Sequence, residues 1–381
     1  MITKFYGYAF YIIILFAAAL LLLVGNRIAV QGRVSRSERP GPAIVTARVT
    51  EILNQVEDFH TIRPGFEILY VDIAFRAYIT GGAMRGQEIV TEHSWVMHVG
   101  DSAPVVTVGD RILLIYNAFH GQFLFFDFVR IYQVMLLGVV FFGLILFFGR
   151  RKGLTAIIAL GFTFASIFFV FIPAILSGRN IYATTFILCT YAILFTLLLV
   201  IGPNKKALAA TLGCLGGVLF SGLLMLLMNT VLRLTGFSDQ SAQQLFALPT
   251  PSPINLRAII FAGVIIGAMG AIMDVAMSIA SALWEIQITG GGTNFADFFR
   301  SGINIGRDIM GTMLNTLILA YIGSSLTMIL LMTDSMLPLM QLLNTEQIVV
   351  EVIRALVGSF GMLLTIPLTA CICAWLYPSN H

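Results

Sequence analysis

Hydrophobic residues along this chain are grouped into eight long runs separated by shorter polar segments. Each run is long enough to cross a hydrocarbon core of about 30 Å as an α-helix that rises about 1.5 Å per residue. The pattern therefore predicts eight transmembrane helices. The predicted spans are residues 5–24, 131–148, 154–176, 181–201, 207–232, 258–283, 308–332 and 348–377.

Composition agrees with a membrane protein. Hydrophobic residues make up 58% of the chain and charged residues 11%, and the mean hydropathy is +0.92. A soluble domain usually carries about twice that fraction of charge, about 25%. The four cysteines all fall within predicted spans, which indicates packing rather than a disulfide framework. The net charge of +3 comes mostly from loops between spans and indicates no nucleic-acid partner.

Basic residues predict the orientation of the chain. The loop after the second span contains Arg150, Arg151 and Lys152, and the loop after the fourth contains Lys205 and Lys206. Positive charge in short loops stays on the cytoplasmic side. We therefore expect a multi-pass protein with both termini in the cytoplasm. The first run is longer than a usual signal-peptide core, so we expect residues 1–26 to form an uncleaved anchor.

Residues 27–128 differ in kind, with nine arginines, eleven acidic residues and no lysine. Short segments rich in β-branched and aromatic residues alternate here with Gly and Pro turns, which is typical of strands. The predicted strands are residues 44–52, 68–79, 87–97, 111–116 and 123–130. We expect an extracytoplasmic β-rich domain, barrel-like or OB-like. Residues 129–381 then form a seven-helix transmembrane domain.

Four histidines in residues 27–128 raise the alternative of a metal site. They are His60, His93, His98 and His120, with Glu92, Asp101 and Asp127 as further possible ligands. Because His93 and His98 are five positions apart on a predicted strand, they face opposite sides of the sheet. No cysteine or closely spaced histidine pair supports a closed site. A structural or gating role for the domain is favoured, and metal binding stays open.

The sixth span carries a polar stripe on one helical face. Its members recur every three or four positions and are Gly267, Gly270, Asp274, Ser278, Ser281 and Glu285. A carboxylate placed inside a membrane without a basic partner must be protonated, solvated or bound to an ion. Intramembrane ionisable residues are for this reason candidates for function. The alternative is that the glycines and serines only allow close helix packing.

The seventh span carries a second stripe, consisting of Asn304, Asp308, Gly311 and Asn315. A short connection makes the two spans an antiparallel hairpin over residues 258–332. Counted from the cytoplasmic ends, Asp274 is then about 14 Å deep and Asn315 about 11 Å deep. We predict an ion-binding or substrate-binding site from Asp274, Ser278, Ser281, Asp308 and Asn315. We predict a cytoplasmic gate or vestibule from Glu285, Arg307 and Asn304. Oxygen ligands of this kind suit a proton or a hard cation.

These two segments resemble a known family. Residues 270–281 read GAIMDVAMSIAS and residues 302–325 read GINIGRDIMGTMLNTLILAYIGSS. Together they are similar to the YibE/F-like family of bacterial multi-pass membrane proteins, and the layout agrees from the second span onward. The resemblance implies a protein of the bacterial plasma membrane, often one of a related pair. It implies no particular substrate.

The leading functional hypothesis is a transporter or permease that moves, or is coupled to, a proton or hard cation. The first alternative is a membrane scaffold or sensor that acts through its outer domain and a partner subunit. The second is a membrane-embedded enzyme, disfavoured because the spans contain no Ser–Lys or Ser–His pair and no HExxH motif. We expect no cofactor. Expected partners are the lipid bilayer and a second copy of the chain or a related paralogue.

Overall fold

The computed structural model describes residues 2–31, 44–63, 66–82, 84–98, 105–117, 121–238, 240–289, 294–334 and 338–377. The chain divides into two compact units. One unit is helical and contains Met1–Val34 and Ile145–His381, and the other is Ser35–Leu144.

The smaller unit contains a five-stranded antiparallel sheet in the order β3-β2-β1-β4-β5. Its strands are β1 (Ile44–Arg63), β2 (Phe66–Gly81), β3 (Glu88–His98), β4 (Arg111–Asn117) and β5 (Gln122–Phe128). Alternate residues of β2, such as Ile73, Phe75 and Ala77, are buried, as expected for a strand with one face on a core. The hydroxyl of Thr91 on β3 donates a hydrogen bond to the carbonyl of Phe123 on β5 at 2.6 Å. The two edge strands therefore lie close together.

The predicted β-rich domain is confirmed, and the main difference concerns the length of the first strand. The prediction ended it at residue 52, whereas β1 continues to Arg63. Pairing with β2 explains the extension, because the ladder runs from Thr46 opposite Gly81 to Arg63 opposite Phe66. Polar residues that give no strand signal by themselves are held in the strand by their neighbours.

The described part of the chain contains eleven helices, one of which, α2, is interrupted at Arg150. They are α1 (Ile2–Val30), α2 (Ile131–Ser166), α3 (Ile172–Leu176), α4 (Ile181–Ile201), α5 (Lys205–Val231), α6 (Gln240–Phe246), α7 (Leu256–Ile288), α8 (Phe295–Ser324), α9 (Leu326–Asp334), α10 (Leu339–Leu343) and α11 (Glu346–Leu376). A π-helical turn, Ile167–Phe171, separates α2 from α3. The first part of α2 belongs to the smaller unit.

Asparagine caps mark where three of the long helices begin. The side chain of Asn180 accepts a hydrogen bond from the third helical N–H of α4, and Asn204 and Asn255 do the same for α5 and α7. Each cap satisfies one of the backbone donors that a helix leaves free at its start. The sequence and the structure therefore agree closely on the starts of these spans.

Six helical stretches of the described residues are long and apolar enough to cross a membrane, and a seventh is obtained if α8 and α9 count as one bent span. The prediction of eight is therefore not reproduced by this count. The second and third predicted spans fall in one stretch, Ile131–Leu176, which is interrupted at Arg150 (φ 47°, ψ −123°). A Cβ on Gly153 would collide with the carbonyl oxygen of Ile145, so the chain folds back between these two residues.

Helices α5 and α11 pack closely through small residues. Gly213 and Gly217 of α5 lie against the hydroxyl groups of Thr369 and Thr365 on α11. At a third contact α11 supplies the glycine, Gly361, and α5 supplies the hydroxyl, from Ser221. These contacts leave no room for a Cβ on any of the three glycines. Small residues let helix backbones approach closely, which is the usual source of packing energy between helices in membranes.

The seventh predicted span has different limits in the structure. The prediction began it at residue 308, after a short connection. Instead, α8 runs without interruption from Phe295 to Ser324. It is followed by α9, and the two helix axes differ by 62° across the break.

Candidate functional site

The polar stripe of α7 lies on a face that the described residues leave partly uncovered. Asp274 and Glu285 are exposed, and Ser278 and Ser281 are half-buried. The opposite face is fully buried in the helical core, for example at Ile272. Sequence periodicity therefore placed these residues on one face, and among the described residues this face is only partly packed.

The polar stripe of α8 is arranged in the same way. Gly302 and Gly306 are buried, and a Cβ on Gly302 would lie 2.6 Å from the methyl group of Ala370 on α11. This contact defines the packed face of α8. The predicted site and vestibule residues of α8 are all exposed on other faces: Asn304, Arg307, Asp308 and Asn315.

Helices α7 and α8 are antiparallel neighbours, as predicted. Near one end, a Cβ on Gly302 would lie 3.1 Å from Leu283, and near the other, a Cβ on Gly267 would lie 2.7 Å from the hydroxyl of Tyr321. Interpolation between these contacts at 1.5 Å per residue places Asp274 and Asn315 within about one helical turn of the same level. The two residues therefore lie at similar levels along the hairpin, and their depth in a membrane stays a prediction.

The predicted site residues make no direct contacts with one another through hydrogen bonds. Within the ranges that the structure describes, the side chains of Asp274, Ser278, Ser281, Asp308 and Asn315 have no hydrogen bond or ion pair. Arg307 and Asp308, although adjacent, do not form a salt bridge. The site is therefore a set of open polar faces on neighbouring helices, and its closure by side-chain contacts stays a prediction.

A polar cluster that the sequence prediction did not assign to the site lies at the break between α8 and α9. The Ser325 hydroxyl donates to Glu351 Oε2 at 2.7 Å, and Arg354 Nη1 donates to Glu351 Oε1 at 2.8 Å and Oε2 at 3.1 Å. The side chains of Arg354 and Glu351 are only 28% and 22% exposed. An ion pair of α11 therefore holds the residue at which α8 is interrupted.

The cluster extends to the end of the α7 stripe through Tyr321. The hydroxyl of this residue is buried without a hydrogen-bond partner, and so is Arg354 Nε. The same hydroxyl lies against Gly267 of α7 and, at 3.8 Å from an added Cβ, against Gly358 of α11. Buried polar atoms without partners are rare, and they often mark places where water, an ion or a ligand binds.

Part of this cluster was visible in the sequence. Glu351 and Arg354 are three positions apart within a predicted span, a spacing that lets two helical side chains pair, and the structure pairs them at 2.8 Å. The missing signal was the run Gly323-Ser324-Ser325, whose three small residues interrupt an apolar stretch where helix breaks become favourable.

The histidines of the β-rich unit do not converge among the described residues. His60 contacts Asp58 at 3.1 Å, whereas His93 lies against Trp95 and Phe125 with ring centroids 4.3 Å and 4.6 Å away. Burial lowers the pKa of His93 below its usual 6.5, which favours the neutral ring. The side chain of His98 and all of His120 lie outside the described residues. No group of three His, Cys, Asp or Glu side chains suited to a metal occurs among those described.

Most side-chain atoms of the helical unit that could bind a proton or a cation are oxygens. Carboxylates at Asp274, Asp308 and Glu351 are accompanied by amides and hydroxyls, and the buried cysteines lie among apolar neighbours. Such groups can carry a proton or coordinate a hard cation. The uncovered faces and the interrupted helix are the two structural features that any function of this unit has to explain.

Comparison with known proteins identifies one match. A family model described as YibE/F-like protein matches residues 137–379, which include α4 to α11 and most of the helical unit. No curated protein and no solved structure matches the chain. Since the matched region covers more than half of the sequence, the chain belongs to the YibE/F-like family.

Proposed function

We propose that this protein is an integral membrane transporter or permease that moves, or is coupled to, a proton or a hard cation. The observation that supports the proposal most is the position of Asp274, in the middle of the central helix α7 and on its uncovered face. A carboxyl group at this depth is costly in lipid, and such residues usually serve ion pathways.

The polar faces of α7 and α8 supply the proposed path. Asp274, Ser278 and Ser281 line one side, and Asp308 and Asn315 line the other. Glu285, Arg307 and Asn304 form the cytoplasmic vestibule in this proposal. A proton or cation bound at Asp274 would exchange its hydration shell for carboxylate, hydroxyl and amide oxygens. The proposal includes no enzymatic step.

The break between α8 and α9 supports transport by a different argument. Interrupted membrane helices expose backbone groups that can bind ions, and transporters commonly place their sites at such breaks. Here the break is held by Ser325, Glu351 and Arg354 and reaches the α7 stripe through Tyr321. We propose that rearrangement at this break gates the path.

We also propose the predicted membrane topology of eight spans. The reversal of the chain at Arg150 supports counting Ile131–Leu176 as two spans rather than one of 46 residues. Both termini would then be cytoplasmic, with the β-rich unit outside the bacterial plasma membrane. The hydrogen bond between the two edge strands, from Thr91 of β3 to Phe123 of β5, supports an OB-like barrel for that unit.

The test is ion flux into proteoliposomes containing the full chain. Proton and monovalent-cation or divalent-cation gradients are applied in turn, with the wild type, Asp274→Asn and Asp297→Asn. Asp297 is an exposed carboxylate in the first turn of α8, outside the proposed path, and its variant is the matched control.

Transport through the proposed path predicts flux in the wild type and in Asp297→Asn, and at least a tenfold loss in Asp274→Asn, which corresponds to about 1.4 kcal/mol. Asp274→Asn protein must remain monodisperse with the wild-type melting temperature. Equal flux in the two variants would exclude the proposed role of Asp274. Absence of flux in all proteins under every gradient would exclude transport of protons and these cations.

The uncovered stripes also favour a second candidate, a scaffold or sensor that assembles through them. Arg307 and Asp308 are neighbouring opposite charges on the open side of α8, and two copies related by a twofold axis could pair them reciprocally. Cysteine cross-linking at Asn304 in native membranes tests this assembly. If Asp308→Asn abolishes cross-linking and Asp274→Asn leaves every flux unchanged, the scaffold is the better account.

A further inference from the structure

A second feature of the helical unit is an apolar groove on the side formed by α1, α4 and the π-helical turn. Its volume is about 720 Å³, within the range of ligand pockets in proteins. The lining is almost entirely aliphatic and aromatic. Four hydroxyl residues belong to the lining, Ser166, Thr184, Thr190 and Tyr191. The hydroxyls of Ser166 and Thr184 are bonded to their own helices, each at 2.7 Å, and that of Tyr191 donates to the carbonyl of Ala18 at 3.5 Å. The groove therefore offers its occupant hydrocarbon and almost no polar group.

The groove has the length of a lipid chain. Along α1 its lining extends from Ile14 to Ile28, and along α4 from Thr184 to Leu198, which is about 21 Å at 1.5 Å per residue. One leaflet of the hydrocarbon core is about 15 Å thick. An acyl chain that follows the groove from the membrane surface thus remains in contact with protein over its whole length.

The π-helical turn gives this groove its shape. Ser166, Val170 and Phe171 at the turn line the groove, and a Cβ on Gly25 would lie 3.2 Å from both methyl groups of Val170. Helix α1 therefore touches the turn at Gly25, and its Ala18 is buried against Phe195 of α4. π-turns inside helices occur frequently at functional sites.

An arginine lies at the polar end of the groove. Arg179 Nη2 donates a hydrogen bond to the carbonyl of Ile28, the last groove-lining residue of α1, at 3.0 Å. Arg179 is exposed, and its guanidinium retains further donors in the planar arrangement that suits a phosphate. The same arginine also lines a separate cavity of about 180 Å³ together with Asn180, Ser252 and Asn255. Cationic and polar groups thus adjoin one end of an otherwise apolar groove.

We propose that this groove is a binding site for an anionic phospholipid. An acyl chain occupies the groove between α1 and α4, and the phosphate binds Arg179. The charge of Arg179 at the membrane boundary selects an anionic headgroup over a zwitterionic one, and the apolar lining excludes a soluble phosphate ester. This site is independent of the path proposed along α7 and α8.

The experiment is lipid competition followed by native mass spectrometry. The full-length protein, delipidated in detergent, is incubated with equal amounts of phosphatidylglycerol and phosphatidylcholine that carry the same acyl chains. Three variants are compared with the wild type: Arg179→Gln, Ala17→Trp and Arg233→Gln. Ala17 is an exposed residue of the groove lining, so the indole fills the groove. Arg233 is an exposed arginine after α5 and outside the groove lining, and it is the matched control.

The wild type and Arg233→Gln are expected to retain phosphatidylglycerol in preference to phosphatidylcholine. Arg179→Gln should lower this preference about fivefold, because one arginine near an anionic membrane surface usually contributes about 1 kcal/mol of binding free energy. Ala17→Trp should lower retention of both lipids. Unchanged preference in Arg179→Gln, or unchanged retention in Ala17→Trp, overturns the proposal, because bound lipid then resides elsewhere. Melting temperatures of all variants verify that the loss of lipid is not a loss of folding.

Discussion

The ion pair at the helix break allows a stringent test of the structure. Glu351→Gln removes the carboxylate charge while keeping an acceptor for Ser325, so Arg354 loses its counter-ion in a site where its Nε already lacks a partner. Removing one member of a fully buried pair usually costs about 3–5 kcal/mol. Since these side chains retain 22% and 28% of their exposure, we expect about 2 kcal/mol.

The assay is thermal unfolding of the full chain in detergent, followed by the fraction that remains monodisperse. A loss of about 2 kcal/mol lowers the midpoint by about 4–8 °C in a unit of this size. Arg354→Met should cost a similar amount. The double variant Glu351→Met/Arg354→Met should recover most of the loss, because replacing a buried pair by apolar residues is often neutral. Glu285→Gln is the control, because this carboxylate is exposed and forms no salt bridge within 4 Å among the described residues, and it should melt like the wild type.

Two results would refute this reasoning. The first is a Glu351→Gln midpoint within 1 °C of the wild type, which would mean that the pair is solvated. The second is a double variant whose melting midpoint is no higher than that of the less stable of the two single variants. In that case the residues would contribute separately, and the break between α8 and α9 would not depend on their pairing.

Three further predictions concern other parts of the chain. Gly217→Ala should destabilise the helical unit by about 1–3 kcal/mol, because its Cβ meets a buried threonine hydroxyl. Gly270→Ala should be neutral or slightly stabilising in the same melting assay, because a Cβ at this position meets open space. Equal melting midpoints for Gly217→Ala and Gly270→Ala would contradict the close packing of α5 against α11. Stability of the β-sheet should fall as pH decreases below 6.5, because burial lowers the pKa of His93 and the unfolded chain takes up a proton first. Emission of Trp95, with the other two tryptophans replaced, follows this change, and His93→Phe should remove it. Glu346→Ala removes an acceptor of three hydrogen bonds from the loop after α5 and should accelerate amide exchange there; unchanged exchange would show the loop is held otherwise.

Much of the architecture could be predicted from the sequence because it depends on local properties. Spans follow from the length of apolar runs, and three of their starts follow from asparagine caps such as Asn255. The β-rich unit follows from alternation, which is clear in the buried residues Ile73 and Phe75 of β2. The antiparallel pairing of α7 and α8 follows from the short connection between them.

The remaining features depend on contacts that are distant in sequence. Helical spacing shows that Asp274 and Ser278 share a face, but the same spacing is obtained whether that face is packed or open. The open face follows from where α5 and α11 pack. The break after Ser324 depends on Glu351, 27 positions later, and the reversal at Arg150 lies within what the sequence alone reads as a simple loop between two spans.

The openness of both stripes connects these observations to function. Helix α8 alone is not apolar enough to count as a membrane span, whereas α8 and α9 together are. Its packed face is apolar and small, whereas Asn304, Asp308 and Asn315 are exposed. Hydrocarbon cannot satisfy these groups, so in a membrane this face must meet water, a bound ion or a second polypeptide. Water or an ion along the stripe is a transport path, and a second chain is an assembly interface. Gly270 and Asp274, four positions apart on α7, are exposed as well. Both accounts therefore place the proposed functional surface along the hairpin of α7 and α8.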